Sequence, residues 1–344
     1  MSAGSRGAGR RVAVVTDSAA GLAPELAAAW TAAGDFACVP MPLMIGDQIF
    51  PGAEDPRLEE QLVIGAAEGR RMSTSKPSPG AFAAAYRGLA ERGFEEIVSI
   101  HLSEELSGTV STARASARDA PVPVTVLDTR TVAMAQGFAV AAALRTARRG
   151  GSADEAVEAA RVSLEGTRLL FYVPTLEALA RSGRIPKGLA VVGQMFQIKP
   201  IATVSGGKLK YLERPRQEAA ARRRLVELAV EDVRGALRAQ AALAGDVLAG
   251  EASGPDEAAA RDGGSGMPGP DREKAPEAVL AIHDFYGRQL ADLVEDGVAA
   301  AFGSRVRLLR YPLPPVLAVH AGLGPVALVA APAALAGELE SPGA

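Results

Sequence analysis

Cysteine occurs once in this 344-residue chain, at Cys38, and histidine three times, at His101, His283 and His320. A single cysteine excludes a disulfide within the chain and any cysteine-based zinc site. Three histidines so far apart in sequence offer little to metal catalysis. Aromatic residues make up only 4%. Excess charge of one sign is missing too: 37 Lys plus Arg stand against 40 Asp plus Glu, a net charge of −3, so there is no basic field to hold nucleic acid. Long unbroken apolar runs are also lacking. One long uncharged stretch, Val316 to Gly337, is interrupted by Gly322, Gly324, Pro325 and Pro332 and reads as buried strands around a Gly-rich turn, not as a membrane-embedded segment. Residues 1–10 are Gly, Ser, Ala and Arg around a single Met, with no apolar centre; they read as a disordered tail rather than a signal peptide, which makes the cytoplasm the expected compartment.

What is present is a globular composition, 48% hydrophobic and 22% charged, in a chain long enough for two domains. The run Arg11 to Val15 predicts a strand, and Thr16-Asp17-Ser18 after it supplies side chains able to cap a helix. Pro24 to Ala33 predicts that helix, stopped by Gly34. A strand-like segment over Ala37 to Ile45 is broken by Pro40 and Pro42. Helices over Leu58–Glu68, Phe82–Arg92 and Ser107–Arg118 alternate with strands over Glu96–Leu102 and Val122–Leu127. This alternation predicts a parallel sheet in an N-terminal α/β/α domain, residues 11–165, closed by helices over 135–149 and after the capping box at Ser152–Glu155. The pattern then changes. A strand over Leu169–Val173, a hairpin turning at Gly206-Gly207, strands over Ala278–His283, Arg305–Tyr311 and Val316–His320, and a helix over Arg288–Ala301 predict a C-terminal α+β domain, residues 166–344, with a mainly antiparallel sheet. Residues 241–276, rich in Gly, Pro, Asp and Glu, read as a flexible, dispensable insertion.

Hydroxyls are the commonest chemical groups at strand and helix ends. Met72 to Ser78 places four in one loop, and His101 to Thr109 places three more before a helix whose N-terminal amides, beside Gly108, form a ready anion site. Either these hydroxyls converge on a small anionic head group, or they only cap helices. A serine hydrolase finds no support: Gly-x-Ser-x-Gly is absent, and neither His101 nor His320 has a triad context. The first strand ends in Thr16 to Gly21 with no G-x-G-x-x-G, and no G-x-x-x-x-G-K occurs, so nucleotide binding by this chain is not expected. His101 and His283 read as strand residues. His320, before Ala321-Gly322-Leu323-Gly324-Pro325, stands equally well as a ligand contact or a structural residue.

Taken in order, Thr16-Asp17-Ser18, Thr74-Ser75-Lys76-Pro77-Ser78, Ser103 to Thr109, Leu127-Asp128-Thr129, Ser182-Gly183-Arg184-Ile185, Ile198-Lys199-Pro200-Ile201, Arg214-Pro215-Arg216 and His320-Ala321-Gly322 resemble the motif series of DegV proteins. The resemblance implies a two-domain protein that binds one long-chain fatty acid between its domains and presents it to a separate fatty acid kinase catalytic subunit, which makes an acyl phosphate. It implies that Thr74 and Ser107 hold the carboxylate, with Gly108 offering an amide and His320 near the head group. It places Arg184 and Arg216 near the mouth, toward head group or partner. The ligand would then be the fatty acid, with no other cofactor and no catalytic residue in this chain. Two positions depart from the family pattern: Lys76 stands where Gln is usual, and Gly322-Leu323-Gly324-Pro325 replaces the usual turn after the histidine. Candidates for lining the acyl tunnel are Met134, Phe138, Met195 and Phe196. Two other functions remain open: an enzyme using His320 on a small carbonyl or ester substrate, and a lipid sensor.

Overall fold

The computed structural model describes residues 10–184, 198–251, 275–337 and 339. The first strand, β1 (Val12–Asp17), is β-branched and buried along its whole length, as expected of a strand covered on both faces. Helix α1 (Pro24–Ala33) starts with proline at its N-terminus and stops at Gly34, whose φ of 90° closes the last turn. Strand β2 (Phe36–Val39) returns parallel to β1. The chain then leaves this sheet. Strands β3 (Leu43–Ile45) and β4 (Gln48–Phe50), helix α2 (Leu58–Ala67) and strand β5 (Met72–Thr74) follow, and the three strands form a small antiparallel sheet ordered β4-β3-β5. Its pairing sets Thr74 opposite Leu43. Helix α3 (Pro79–Glu91) begins at Ser78, whose Oγ accepts from the Ala81 N–H. Strands β6 (Glu96–His101) and β7 (Val124–Asp128), joined through α4 (Thr109–Ala117), complete a four-stranded parallel sheet ordered β2-β1-β6-β7. Helices α5 (Met134–Arg148) and α6 (Ala153–Gly166) pack together behind it, α6 opening with the Ser152–Glu155 capping box.

Strand β8 (Arg168–Tyr172) begins a second, six-stranded sheet. Helix α7 (Glu177–Arg181) intervenes before the hairpin of β9 (Ile201–Ser205) and β10 (Lys208–Glu213). Helix α8 (Glu218–Glu251), strand β11 (Ala278–Asp284), helix α9 (Arg288–Phe302), strand β12 (Val306–Pro312), helix α10 (Pro315–Ala321) and strand β13 (Val326–Pro332) complete the chain. The strand order is β10-β9-β8-β13-β11-β12, antiparallel throughout except for the β11–β12 pair. The molecule therefore joins an N-terminal parallel α/β part to a C-terminal part with a mainly antiparallel sheet. One face of the large sheet is covered by α8 and α9. Along β8, Leu170 and Tyr172 join that apolar cluster, while Leu169 and Phe171 point the other way, toward the N-terminal part. The hairpin turn is fastened across: Ser103 Oγ donates to the Gly207 carbonyl at 2.7 Å, and Arg130 Nη2 to the Gly206 carbonyl at 2.7 Å.

Three expectations need correction. Val316–His320 is helical, not a strand: Pro314 and Pro315 cannot extend a sheet ladder, whereas proline at the first helical position is preorganised for α10. The segment Ala37–Ile45 is not one broken strand but β2 and β3, which belong to different sheets. Asp17 does not cap α1, whose N-cap is Ala23 and which has no side-chain cap; its carboxylate is used elsewhere. In the segment 241–276, residues up to Glu251 continue α8, and 252–274 lie outside the described residues, as do Met195 and Phe196.

Candidate functional site: an apolar slot with a polar head

Between the two parts lies a slot-like cavity of about 910 Å³, its open mouth included. Its wall is drawn from both parts of the chain. Ala19, Met41, Leu102, Leu106, Val132 and Ala133 come from the N-terminal part; Leu169, Phe171 and Val173, alternate residues running off the inner face of β8, come from the other. The hairpin adds Val204 and Leu209. Among the lining side chains only Thr74, Ser107, Arg184 and His320 carry polar groups able to form strong hydrogen bonds.

Each of these four reaches the slot for a local reason. Thr74 ends β5, held in register against β3. Ser107 precedes α4; its hydroxyl does not cap that helix but lies 2.9 Å from Thr109 Oγ1. Arg184 follows the turn at Gly183, and its N–H donates to the Leu179 carbonyl. His320 is in the last turn of α10, where helical spacing sets Val316, Leu317 and His320 on one face, all lining the slot.

Thr74 Oγ1 and His320 Nε2 are 2.8 Å apart. Burial, helped by the nearby Arg184 charge, pushes the His320 pKa down to about 4, so the ring is neutral at neutral pH. Its other nitrogen, Nδ1, is buried without a hydrogen-bond partner. An unpaired buried N–H costs more than an unfilled lone pair, which favours the tautomer carrying its proton on Nε2. In that tautomer His320 donates to Thr74, leaving the threonine proton free to donate into the slot. The half-buried Arg184 supplies the positive charge. This end of the slot thus gathers hydroxyls, a neutral imidazole and a cation on one wall.

The remaining expected site residues fall elsewhere. Gly108 is the N-cap of α4, exposed and off the slot wall, and a Cβ added there would lie 3.4 Å from Lys76 Cδ. Arg216 is exposed after β10 and does not line the slot. Met134 and Phe138 are fully buried within the core on α5 and are not part of the wall, because α5 is packed on nearly every side. Leu169, Phe171 and Leu313, which do line the apolar part of the slot, are not among the expected residues; the period of two along β8 is the signal that marks its share of them.

A second histidine–hydroxyl arrangement lies behind β1. His101 Nδ1 is 2.9 Å from Asp17 Oδ2, His101 Nε2 is 2.6 Å from Ser99 Oγ, and Ser99 Oγ is 2.9 Å from Tyr86 OH. The order carboxylate, imidazole, hydroxyl is that of a hydrolase triad, but Asp17, Ser99, His101 and Tyr86 are all completely buried, so no substrate reaches the serine. Asp17 also accepts from the Ala19 and Leu102 N–H groups, two residues of the slot wall. His101 is therefore the satisfied strand residue expected of it. No cluster of three or more His, Cys, Asp or Glu among the described residues could hold a metal ion.

A parallel α/β part joined to a mainly antiparallel-sheet part, with an apolar slot between them, defines a class of two-part α/β proteins. The DegV family model, described as "Uncharacterised protein, DegV family", matches residues 11–259, and the chain belongs to that family. A DegV domain-containing protein of Streptomyces coelicolor is 43% identical over 228 residues, 66% of this chain and 79% of that protein. A DegV family protein from Thermus thermophilus, solved in a study of its fatty acid binding, superposes with a TM-score of 0.71 at 25% identity, covering 94% of this chain and 99% of that one. The DegV fatty acid binding protein of Bacillus subtilis, at 21% identity and a TM-score of 0.71 over 93% of this chain and 99% of that one, shares the fold.

Proposed function

We propose that this protein binds one long-chain fatty acid, with the acyl chain in the slot and the carboxylate at Thr74 and Ser107, and presents that carboxylate to a separate fatty acid kinase catalytic subunit for acyl phosphate formation. The observation that carries the reading is the contrast within one wall: an apolar slot whose strong hydrogen-bonding groups are Thr74, Ser107, Arg184 and His320. Fatty acid binding by the Thermus thermophilus relative supports the choice of ligand. A tail burying roughly fourteen methylenes at ~0.8 kcal/mol each gains about 11 kcal/mol before association costs. Hydrogen bonds to the carboxylate add about 1.5–3 kcal/mol each, partly offset by its desolvation. The tail thus provides affinity and the head selects an acid. Arg184 sits where it can pair with the carboxylate, and the exposed Arg216 is free to meet the partner.

The enzyme reading, with His320 as a base for Thr74, has the 2.8 Å contact in its favour and two features against it. No carboxylate orients His320, since Nδ1 has no partner, and a pKa near 4 leaves the ring a weak base at neutral pH. Calorimetric titration of delipidated protein with palmitate tests the proposal: saturable one-to-one binding is expected, weakened in the Thr74→Ala/Ser107→Ala variant. Phosphate transfer from ATP to the bound acid, on adding a fatty acid kinase catalytic subunit, tests the presentation step. Absence of palmitate binding would refute the proposal, and turnover of a small ester by this chain alone, lost in His320→Gln, would favour the enzyme.

A further inference from the structure

A second cavity adjoins the slot at the end away from His320. Val173 packs with Leu179 and Ala321 near the polar head, and Leu169 lies four residues earlier, about 13 Å away in extended chain. There Leu169 and Val204 line both the slot and a neighbouring cavity of about 760 Å³, its open mouth included. Three pairs of sequence neighbours draw the boundary. Thr131, Arg168 and Thr203 line the second cavity, and Val132, Leu169 and Val204 line the slot, so polar gives way to apolar from one residue to the next in three separate segments.

The second cavity is cationic. Among the described residues its wall contains Arg130 and Arg168 and no carboxylate. Neither guanidinium has an ion-pair partner there: Arg130 Nη2 donates to the Gly206 carbonyl, Arg168 Nη1 lies 3.5 Å from the Thr167 carbonyl, and Asp232 feels the Arg168 charge only at longer range. Asp128 is turned instead to the Arg130 and Glu104 N–H groups. Arg130 is held at a φ of 54°, a left-handed backbone that a non-glycine residue rarely adopts. The hydroxyls of Thr129, Thr167 and Thr203 give their protons to the carbonyls of His101, Ser163 and Leu169. Thr131 differs. It is only 9% exposed, its backbone groups are engaged, and its hydroxyl has no hydrogen-bond partner among the described residues. An unmatched hydroxyl and two unpaired guanidiniums on one wall suit a negatively charged group.

We propose that this cavity is a second anion site, which receives the far carboxylate of a long α,ω-dicarboxylic acid whose chain runs through the slot. The inference rests on the fatty acid reading and deepens it by naming a further ligand class. A purely apolar far end would reject such an acid, because burying an unpaired carboxylate costs far more than burying a methyl group. With its chain passing between Leu169 and Val204, the ligand brings one charge to Thr74 and Ser107 and the other to Arg168 and Thr131.

The test titrates straight-chain dicarboxylic acids, from dodecanedioate to eicosanedioate, and the matching monocarboxylic acids calorimetrically into delipidated protein. Mildly alkaline pH keeps both ends charged, and concentrations stay below micelle formation. At the length that spans both sites, wild type is expected to bind the dicarboxylic acid within about tenfold of its monocarboxylic counterpart, with an affinity that falls as salt is raised. Arg168→Gln should lose roughly tenfold for that dicarboxylic acid and less than about twofold for the monocarboxylic acid, while Arg168→Lys, which keeps the charge, loses less. Thr131→Val should show the same selective loss on a smaller scale. Rejection of every dicarboxylic acid by more than about a hundredfold, equal losses on both ligands, or no loss in Arg168→Gln would overturn the site. So would succinate binding that depends on Arg168 while no acid of the series gains from it, since the cavity would then serve small free anions. Failure to take up palmitate would refute the fatty acid reading, while uptake of a dicarboxylic acid that depends on Arg168 would still uphold this site.

Discussion

Two histidines in this protein touch a hydroxyl, and they could hardly differ more. His101 has both ring nitrogens engaged, between Asp17 and Ser99, with Tyr86 behind, and all four side chains are sealed from solvent. His320 has one nitrogen on Thr74 and the other unpaired, at the edge of an apolar slot. The first arrangement is complete and braces the molecule: its carboxylate ties the end of β1 to the Leu102 backbone beyond β6. The second keeps unfilled hydrogen-bonding capacity at Nδ1. Resemblance to a catalytic triad thus falls on the histidine that no substrate reaches, while unfilled hydrogen-bonding capacity beside open space falls on the other.

That contrast can be broken experimentally, and the largest effect belongs to the sealed network. Asp17→Ala strands the His101 ring and two backbone N–H groups in the core, and is expected to cost about 3–5 kcal/mol of stability in a denaturant melt. A variant as stable as wild type would show that the network is not a brace. The slot should behave in the opposite way. Thr74→Ala/Ser107→Ala is expected to weaken palmitate binding about 10–100-fold while changing the melt by no more than about 1–2 kcal/mol.

A smaller effect is expected on acidification. Burial lowers His320 and His283 to about 4, so the unfolded chain takes up their protons near pH 6.5 and the folded chain only near 4. Their neutral forms fit the fold at full stability above about pH 6.5, and that stability is lost as pH falls toward 4, at about 1.4 kcal/mol per pH unit for each group. Asp232, raised by burial to about 6, works against this between pH 6 and 4, since its folded form takes up the proton first. His320→Gln should therefore flatten the acid side of the stability profile by about one proton; an unchanged slope would place His320 in water. The smallest effect expected is at Arg216. It is exposed and off the slot wall, so Arg216→Ala should leave palmitate affinity within about twofold of wild type.

Much of the fold was legible because local signals and tertiary packing agree. Gly34 and the Ser152–Glu155 box mark helix ends where the structure has them, and Gly206-Gly207 turns the expected hairpin. The helix α10 was missed because Val316 to Ala321 is a short apolar run, in which a period of two and one of 3.6 cannot be told apart; Pro314-Pro315 was the deciding signal. The little β4-β3-β5 sheet escaped because three-residue strands show no period at all. At the site, Thr74, Ser107, Arg184 and His320 carry motif signals, and the structure brings them to one wall. The slot lining carried no such signal. Met134 and Phe138 are as apolar as Leu169 and Phe171, and only the direction in which each backbone presents its side chain separates core from wall.

The central claim is that the slot holds one long acyl chain by its apolar wall and one acidic head by its hydroxyls. Native mass spectrometry of the delipidated protein after incubation with an equimolar mixture of palmitate and hexadecanol tests both halves at once. The account predicts a single added mass equal to one palmitate. No added mass, or uptake of the alcohol as readily as the acid, would contradict it.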